Sequence, residues 1–226
     1  MKKTILLDQA TTPDGRPMTL HEHDGVFMIR IDGVELMSTR QHHSEEKLAE
    51  LACGHLQARS ARARVLIGGL GFGFTLRAAL EMLGPDATVV VVELMPAVIR
   101  WNQNHDFKLA ADVMADPRVA VVAGDVVDVL KKSHGQFDAI ILDVDNGASG
   151  LTMAANSRLY SATGLAMIRS ALRPDGCLAV WSADADPAFV ERMGQGGFAV
   201  TVERARTHPT GGSWHSLFIG RVGRQR

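Results

Sequence analysis

Two different periods of apolar and polar residues run along the chain. Up to about residue 40 short stretches alternate with a period of two, as in Val26-Phe27-Met28-Ile29-Arg30-Ile31. Pro13-Asp14-Gly15, Asp24-Gly25 and Asp32-Gly33 punctuate them. Asp-Gly between apolar runs is a hairpin signal, so this part predicts a small antiparallel sheet. From Ser44 the period turns helical: Leu48, Leu51, Ala52 and His55 share a face, and Ser44 with Glu45 and Glu46 behind it makes a helix start. Strands and helices then alternate. Arg64–Gly68 is a short apolar strand, followed by a helix with Leu76, Ala79, Leu80 and Leu83 at helical spacing. Thr88–Glu93 is β-branched with no polar alternation, the mark of a strand covered on both faces. A helix opens at Pro96, with Pro in its first turn. Val119–Ala123, Ala139–Asp143 and Cys177–Ser182 read as three more buried strands, the last after an Asp175-Gly176 turn. Phe198–Val202 and Trp214–Val222 can close the sheet as an antiparallel pair.

Alternating strands and helices imply right-handed crossovers. The expected fold is therefore α/β: a doubly wound, Rossmann-like, mainly parallel sheet of seven strands with a small N-terminal β-hairpin region. The expected division is an antiparallel β region over 1–43 and an α/β domain over 44–226.

Composition narrows the partners. Lys plus Arg number 24 against 25 Asp plus Glu, so the chain lacks the basic field of a nucleic-acid binder. Eight Phe, three Trp and one Tyr in 226 residues leave few stacking platforms for bases. The expected partner is a small molecule, not nucleic acid. No apolar run approaches a membrane span, and Met1–Asp8 has no signal-peptide pattern, so a cytoplasmic protein without a membrane partner is expected. Cys53 and Cys177 are isolated and read as small core residues.

The sharpest motif is Gly69-Leu70-Gly71-Phe72-Gly73, between the first core strand and its helix. Glycines at alternate positions let the backbone turn sharply and a ligand lie against it. The third glycine of a dinucleotide fingerprint and the Gly-Lys-Ser/Thr of a phosphate loop are both absent. G-x-G-x-G is the form found in class I S-adenosylmethionine-dependent enzymes. Glu93 ends the second strand 20 positions after Gly73, where a carboxylate can accept from both ribose hydroxyls. Asp125 follows the third strand; it can accept from an adenine amine, with the Val126 N–H at a ring nitrogen, or cap the next helix, or do both. Adenine is expected between Leu94 and Val126. Asp143 follows the fourth strand, facing the reactive end of such a nucleoside, where a carboxylate can orient an amine or take its proton. Asp145 and Asn146 can hold a substrate amine, although Asp-Asn-Gly is also an ordinary turn.

From Val65 to Trp181 the sequence resembles the spermidine synthase family and, more broadly, class I methyltransferases. The resemblance rests on Gly69–Arg77, Val92-Glu93, Asp116–Val119, Gly124-Asp125, Phe137–Asp143 and Leu172–Gly176, with Ile31–Val34 and Pro209–Trp214 resembling the family's flanking hairpin and final loop. It implies a nucleoside donor: S-adenosylmethionine, its product S-adenosylhomocysteine, or decarboxylated S-adenosylmethionine. Gly69, Gly71, Gly73, Glu93, Leu94, Asp125 and Val126 are expected to bind it, and Asp143 to act in catalysis. It also implies a homodimer.

Departures from the family pattern bear on the reaction. Aminopropyltransferases carry an Asp where this chain has Phe72, and a second acid where it has Asn146. Their Tyr-His-Glu group is replaced by the stretch Leu36–Glu46, which holds no Tyr. Asp143 and Glu46 are then the acids left for a diamine. The expectation is methyl transfer to a small-molecule acceptor, with aminopropyl transfer (spermidine synthase) as the alternative and a non-catalytic nucleoside-binding protein as the second. Gln41, His42 and His43 are expected to shape the acceptor pocket. Adjacent His side chains diverge on a strand and no third ligand is evident, so no metal is expected.

Overall fold

Asp24 and Gly25, then Asp32 and Gly33, all take positive φ (53°, 78°, 52° and 79°), the backbone of two-residue hairpin turns. They join β2 (Pro17–His23), β3 (Val26–Ile31) and β4 (Val34–Ser38), which with β1 (Ile5–Thr11) form a four-stranded antiparallel meander. The structure is a computed structural model, and it describes residues 3–56, 62–144 and 158–223.

Helix α1 (His43–Cys53) leads into the second sheet. In chain order that sheet is built by β5 (Arg64–Gly68), α2 (Phe74–Met82), β6 (Thr88–Glu93), α3 (Pro96–Gln103), α4 (Ala111–Met114), β7 (Val119–Ala123), α5 (Val126–Lys131) and β8 (Phe137–Leu142). It continues with α6 (Ala162–Ala171), β9 (Leu172–Ser182), α7 (Pro187–Gln195), β10 (Phe198–His208) and β11 (Gly211–Val222). Seven strands lie in the order β10-β11-β9-β8-β5-β6-β7. Neighbours from β9 to β7 pair in parallel, while β11 pairs antiparallel with both β9 and β10. The chain starts at β5, winds outward to β7, and returns to β8 on the other side of β5. The carboxyl ends of β5 and β8 therefore flank a topological switch point, where open α/β sheets bind ligands.

The absence of polar alternation in the central strands has a direct cause. Val89 and Val91 of β6 enter one apolar cluster, and Val90 and Val92 enter the other. Ala139 and Ile141 against Ile140 and Leu142 divide β8 in the same way. The N-terminal sheet adds Met18, Leu20, Ile29 and Ile31 to the first cluster. Trp101 of α3, fully buried, donates its indole N–H to Asp8 of β1 at 2.6 Å and ties the two sheets together.

Several boundaries differ from the sequence reading. The strand expected over Ala139–Asp143 starts at Phe137 and ends at Leu142, leaving Asp143 just beyond the sheet edge. Asp175-Gly176 lies inside β9, where the register against β8 slips between the Phe137↔Leu172 and Ala139↔Cys177 pairs. Asp175 takes φ 64° there, so the expected turn is a bulge within a longer strand. The last two strands extend to His208 and back to Gly211. Val119–Ala123, expected to be buried, is the sheet's edge and is largely open to solvent. His55 lies past the end of α1 and shares no helical face with Leu48.

Candidate functional site

A cavity of about 530 Å³ opens at the switch point, between the carboxyl ends of the parallel strands and a roof from the N-terminal sheet. One end is built largely from backbone. Gly69 follows β5 with φ 89°, and its N–H donates to the carbonyl of Val92 at 2.9 Å. A Cβ at Gly69 would lie 2.2 Å from the carbonyl oxygen of Asp143, so any side chain would push the two central strand ends apart. Leu70 donates to one oxygen of the Glu93 carboxylate at 2.9 Å, and Met95 to the other at 2.7 Å. Glu93 is thus fixed by the glycine loop on one side and its own strand end on the other. Burial pushes its carboxyl up, against the pull of those N–H groups. The N–H groups of Gly71 and Leu94 pull on it as well, so a ligand hydroxyl would share these oxygens with the backbone. Asn102 of α3 donates to the Gly71 carbonyl at 2.8 Å and steadies the loop from behind.

Leu94, Asp125 and Val126 line the same end, with Val126 buried and Leu94 exposed. Asp125 accepts from the N–H of Val127 at 2.8 Å and so caps α5, one of its two expected roles. Gly73 is not among the lining residues. It opens α2 at φ 81°, and a Cβ there would lie 2.5 Å from that of Ala110, so its need for glycine comes from backbone conformation and packing.

The other end of the cavity is built from side chains that are remote in sequence. Asp143, half-buried, receives the Thr75 hydroxyl at 2.8 Å; burial nevertheless pushes its carboxyl up to about 6. Glu45, on the first turn of α1, faces it. Burial pushes Glu45 well above the usual carboxylate range, and the charges of Asp143 and Glu46 add to that shift. Trp181 and Asp184, at and beyond the end of β9, complete this end with His215 of β11 and Ser44 of α1. Trp181 donates its indole N–H to Ser44 Oγ at 3.1 Å, and Ser44 Oγ lies 3.0 Å from His215 Nδ1. The Trp181 and His215 rings meet edge to face at 4.4 Å. Burial lowers the pKa of His215, with Asp184 pulling the other way.

Of the expected site residues, the cavity gathers Gln41, Gly69, Gly71, Glu93, Leu94, Asp125, Val126 and Asp143. His42 and His43 point elsewhere. His42 stacks on Phe74 at 4.3 Å and meets Glu46 at 2.8 Å, and His43 lies 3.8 Å from the same carboxylate. Glu46 is thereby engaged on the outer side of α1, and the acid that enters the cavity is its neighbour Glu45. Helical geometry explains the correction, because adjacent residues on a helix point about 100° apart. Phe72 is buried in the core and absent from the lining, so the loop presents no side chain at all where an acid is expected in aminopropyltransferases. Asp145 and Asn146 lie outside the described residues. Among the described residues no cluster of His, Cys, Asp and Glu has the makings of a metal site, and no helix is long and apolar enough to cross a membrane. Sequence reading missed Glu45, Trp181, Asp184 and His215 as site residues. Trp181 and Asp184 carried a signal, a strand's carboxyl end in a doubly wound sheet; His215 carried none.

Residues 42–191 match the spermine/spermidine synthase domain. The chain belongs to that family. Polyamine aminopropyltransferase 1 of Streptomyces coelicolor is 33% identical over 153 residues, covering 67% of this chain and 27% of that protein. Ribosomal RNA large subunit methyltransferase E of Syntrophobacter fumaroxidans is 34% identical over 120 residues, 50% of this chain and 54% of that one. The chain thus spans between about a quarter and half of the length of these relatives. The spermidine synthase of Thermotoga maritima superposes with a TM-score of 0.74 at 20% identity, covering 96% of this chain and 73% of that one. A spermidine synthase solved with the transition-state analogue AdoDATO gives 0.73 at 19%, covering 96% and 72%. At that identity the superpositions speak to the fold alone.

Proposed function

We propose that this member of the spermidine synthase family transfers an alkyl group from an S-adenosyl sulfonium to an amine, and that the transfer is of aminopropyl from decarboxylated S-adenosylmethionine. One observation carries the reading. Glu45, Asp143 and Asp184 line the cavity together with Trp181, and the one cation among the described lining residues, Arg16 of the N-terminal sheet's first turn, is paired with Asp14. Converging carboxylates beside an indole suit an ammonium group, which they attract while the aromatic walls its alkyl chain. The sequence reading left Asp143 and Glu46 as the acids for a diamine; Glu45 and Asp184 take the place of Glu46 in the cavity lining.

The division of labour follows from the geometry. Glu93 holds the ribose and the Gly69–Gly71 backbone lies against the donor. Asp143 stands between donor and acceptor, able to orient an amine against the carbon bonded to sulfur. Attack by the amine lone pair forms the C–N bond as the C–S pair returns to sulfur, so the protein supplies in-line placement and an uncharged amine. Methyl transfer stays as a second reading because of Phe72: with no acid on the loop, the donor's own amino group lacks the partner it has in aminopropyltransferases. We also infer a homodimer, whose apolar contacts would come from Ile5, Leu6 and Val34, exposed on the N-terminal sheet; a monomer mass in light scattering removes that inference.

The deciding experiment offers the protein decarboxylated S-adenosylmethionine with putrescine, or S-adenosylmethionine with the same amine, and follows product masses. Spermidine from the first mixture and nothing from the second is the expected outcome. Methylated amine from the second mixture alone would replace the aminopropyl reading with the methyl one.

A further inference from the structure

An acceptor amine reaches such a site as ammonium and must lose a proton before its nitrogen can attack. Asp143 is needed as the charge that holds the cation, and a carboxylate that takes the proton surrenders its hold. The cavity contains a second route, and it runs through three residues from three elements. Trp181 Nε1 can only donate, so Ser44 Oγ accepts from it. The Ser44 hydroxyl hydrogen then needs an acceptor, and His215 Nδ1, 3.0 Å away, is the one its described hydrogen bonds provide. When Ser44 donates there, Nδ1 is bare, the ring is neutral and its proton is on Nε2. Ser44 Oγ keeps one lone pair, and Ser44 lines the cavity beside Glu45.

We propose that Ser44 and His215 form the proton outlet of the acceptor end: the acceptor's ammonium gives a proton to Ser44 Oγ as the Ser44 proton passes to His215 Nδ1. The step leaves a neutral amine and an imidazolium; once the product has left, Nδ1 gives its proton back to Ser44 Oγ as the Ser44 proton passes to water in the emptied cavity, so both residues end as they began. The inference rests on the amine-acceptor reading above. The surroundings suit it. Asp184, beyond β9, is the charge that acts on His215, and the cavity the ring lines also holds Glu45 from α1, Asp143 beyond β8, Glu35 from β4 and Arg16, the last paired with Asp14. From β10, Arg204 and Arg206 stack instead on Trp214, the preceding residue, whose side chain points to the opposite face of the strand. Neutral at rest, His215 adds no charge against an incoming cation; once protonated it has Asp184 to stabilise it. Trp181, buried and held edge-on to the imidazole, fixes the direction of the whole chain.

The test is a pH profile joined to a direct look at the ring. In His215→Asn the amide oxygen can still accept from Ser44 but cannot take its proton. The expected result is a fall of roughly 100-fold or more in kcat/KM for the amine at neutral pH, largely regained as the pH approaches the amine's own pKa, with donor affinity within twofold of the parent. Ser44→Ala should behave alike, and the double variant should be no worse than either. A pH profile in His215→Asn that parallels the parent's would overturn the proposal, since a merely structural loss lowers rate at every pH. Nitrogen-15 spectra of the parent decide independently of turnover: a bare Nδ1 and a protonated Nε2 at pH 7 are expected, and an Nδ1–H ring or an imidazolium there would overturn it. If the parent transfers nothing to amines, the amine-acceptor reading is what fails, and the proposed proton outlet falls with it. The ring spectra then show only whether the hydrogen-bonded chain itself exists.

Discussion

The two ends of the cavity are made differently. The Glu93 end consists of consecutive residues at strand ends: a glycine loop whose N–H groups grip one carboxylate, and a helix cap at Asp125. The Asp143 end is assembled from α1, the β8 and β9 ends and β11, with Ser44 and His215 separated by 171 positions. A nucleoside can be recognised by backbone geometry, and backbone geometry leaves its trace in glycine spacing. An acceptor is recognised by side chains, and any fold-compatible set of positions can supply them. On the reading proposed above, the first end carries the family's identity and the second this protein's specificity.

Substitutions should separate the two ends, and the largest effect is expected at the acceptor end. Asp143→Asn keeps the hydrogen bond from Thr75 but loses the charge beside the reacting nitrogen. Steady-state kinetics should show kcat/KM for the amine lower by about 100- to 1000-fold, with donor binding close to unchanged. The pH dependence has a definite sign. Asp143, pushed up to about 6, is neutral below that pH and cannot hold a cation; it ionises as the pH rises, so amine affinity should strengthen from pH 5 to 7. Titration calorimetry across that range checks this, and a flat response in the parent protein would mean that another group binds the ammonium.

Glu93→Ala probes the other end. It removes the acceptor for two backbone donors as well as for the proposed ribose, so the cost to donor affinity should be about 1–3 kcal/mol. Calorimetry with S-adenosylhomocysteine measures it, while amine affinity should move less than twofold. Equal losses at both ends would mean that the glycine loop carries the acceptor site with it, and the contrast drawn above would not hold.

The same contrast explains what the sequence could reveal. The seven-stranded sheet was legible because Val89–Val92 and Ala139–Leu142 are apolar at every position, and only a strand packed on both faces tolerates that. The hairpins were legible because Asp-Gly supplies two positive φ values in succession. Glu93 was legible because a strand end 20 residues past a glycine loop has one place to be. Choosing Glu46 over Glu45 fails for the opposite reason. On the first turn of a helix the side facing the cavity depends on how α1 packs against α2 and β9, a tertiary fact with no local signature. His215 was hidden for a similar reason, since its partner Ser44 is reached only through the pairing of β11 with β9 and the docking of α1. Gly73 differs from the other two glycines of the motif: spacing places it with them, while its positive φ and close packing against Ala110 require glycine there whatever the ligand.

The smallest effect is expected where the N-terminal sheet is fastened down. Asp8 accepts the Trp101 indole N–H at 2.6 Å, and the sheet it belongs to carries Met37, whose sulfur would sit 3.5 Å from a Cβ at Gly71. Asp8→Ala leaves a buried indole N–H without its partner, which should cost about 1–2 kcal/mol of stability. For a chain of 226 residues that is a fall in Tm of roughly 2–8 °C, at about 2–4 °C per kcal/mol. Asp8→Asn keeps an acceptor and should lose less than half as much. Because α3 also holds the Gly71 carbonyl through Asn102, loosening β1 from α3 should weaken S-adenosylhomocysteine binding before it touches the amine. Amide hydrogen exchange should then rise in β1 and β4 while α1 and β11 stay protected. Exchange rising first at α1 would mean that the N-terminal sheet is the roof of the acceptor end instead.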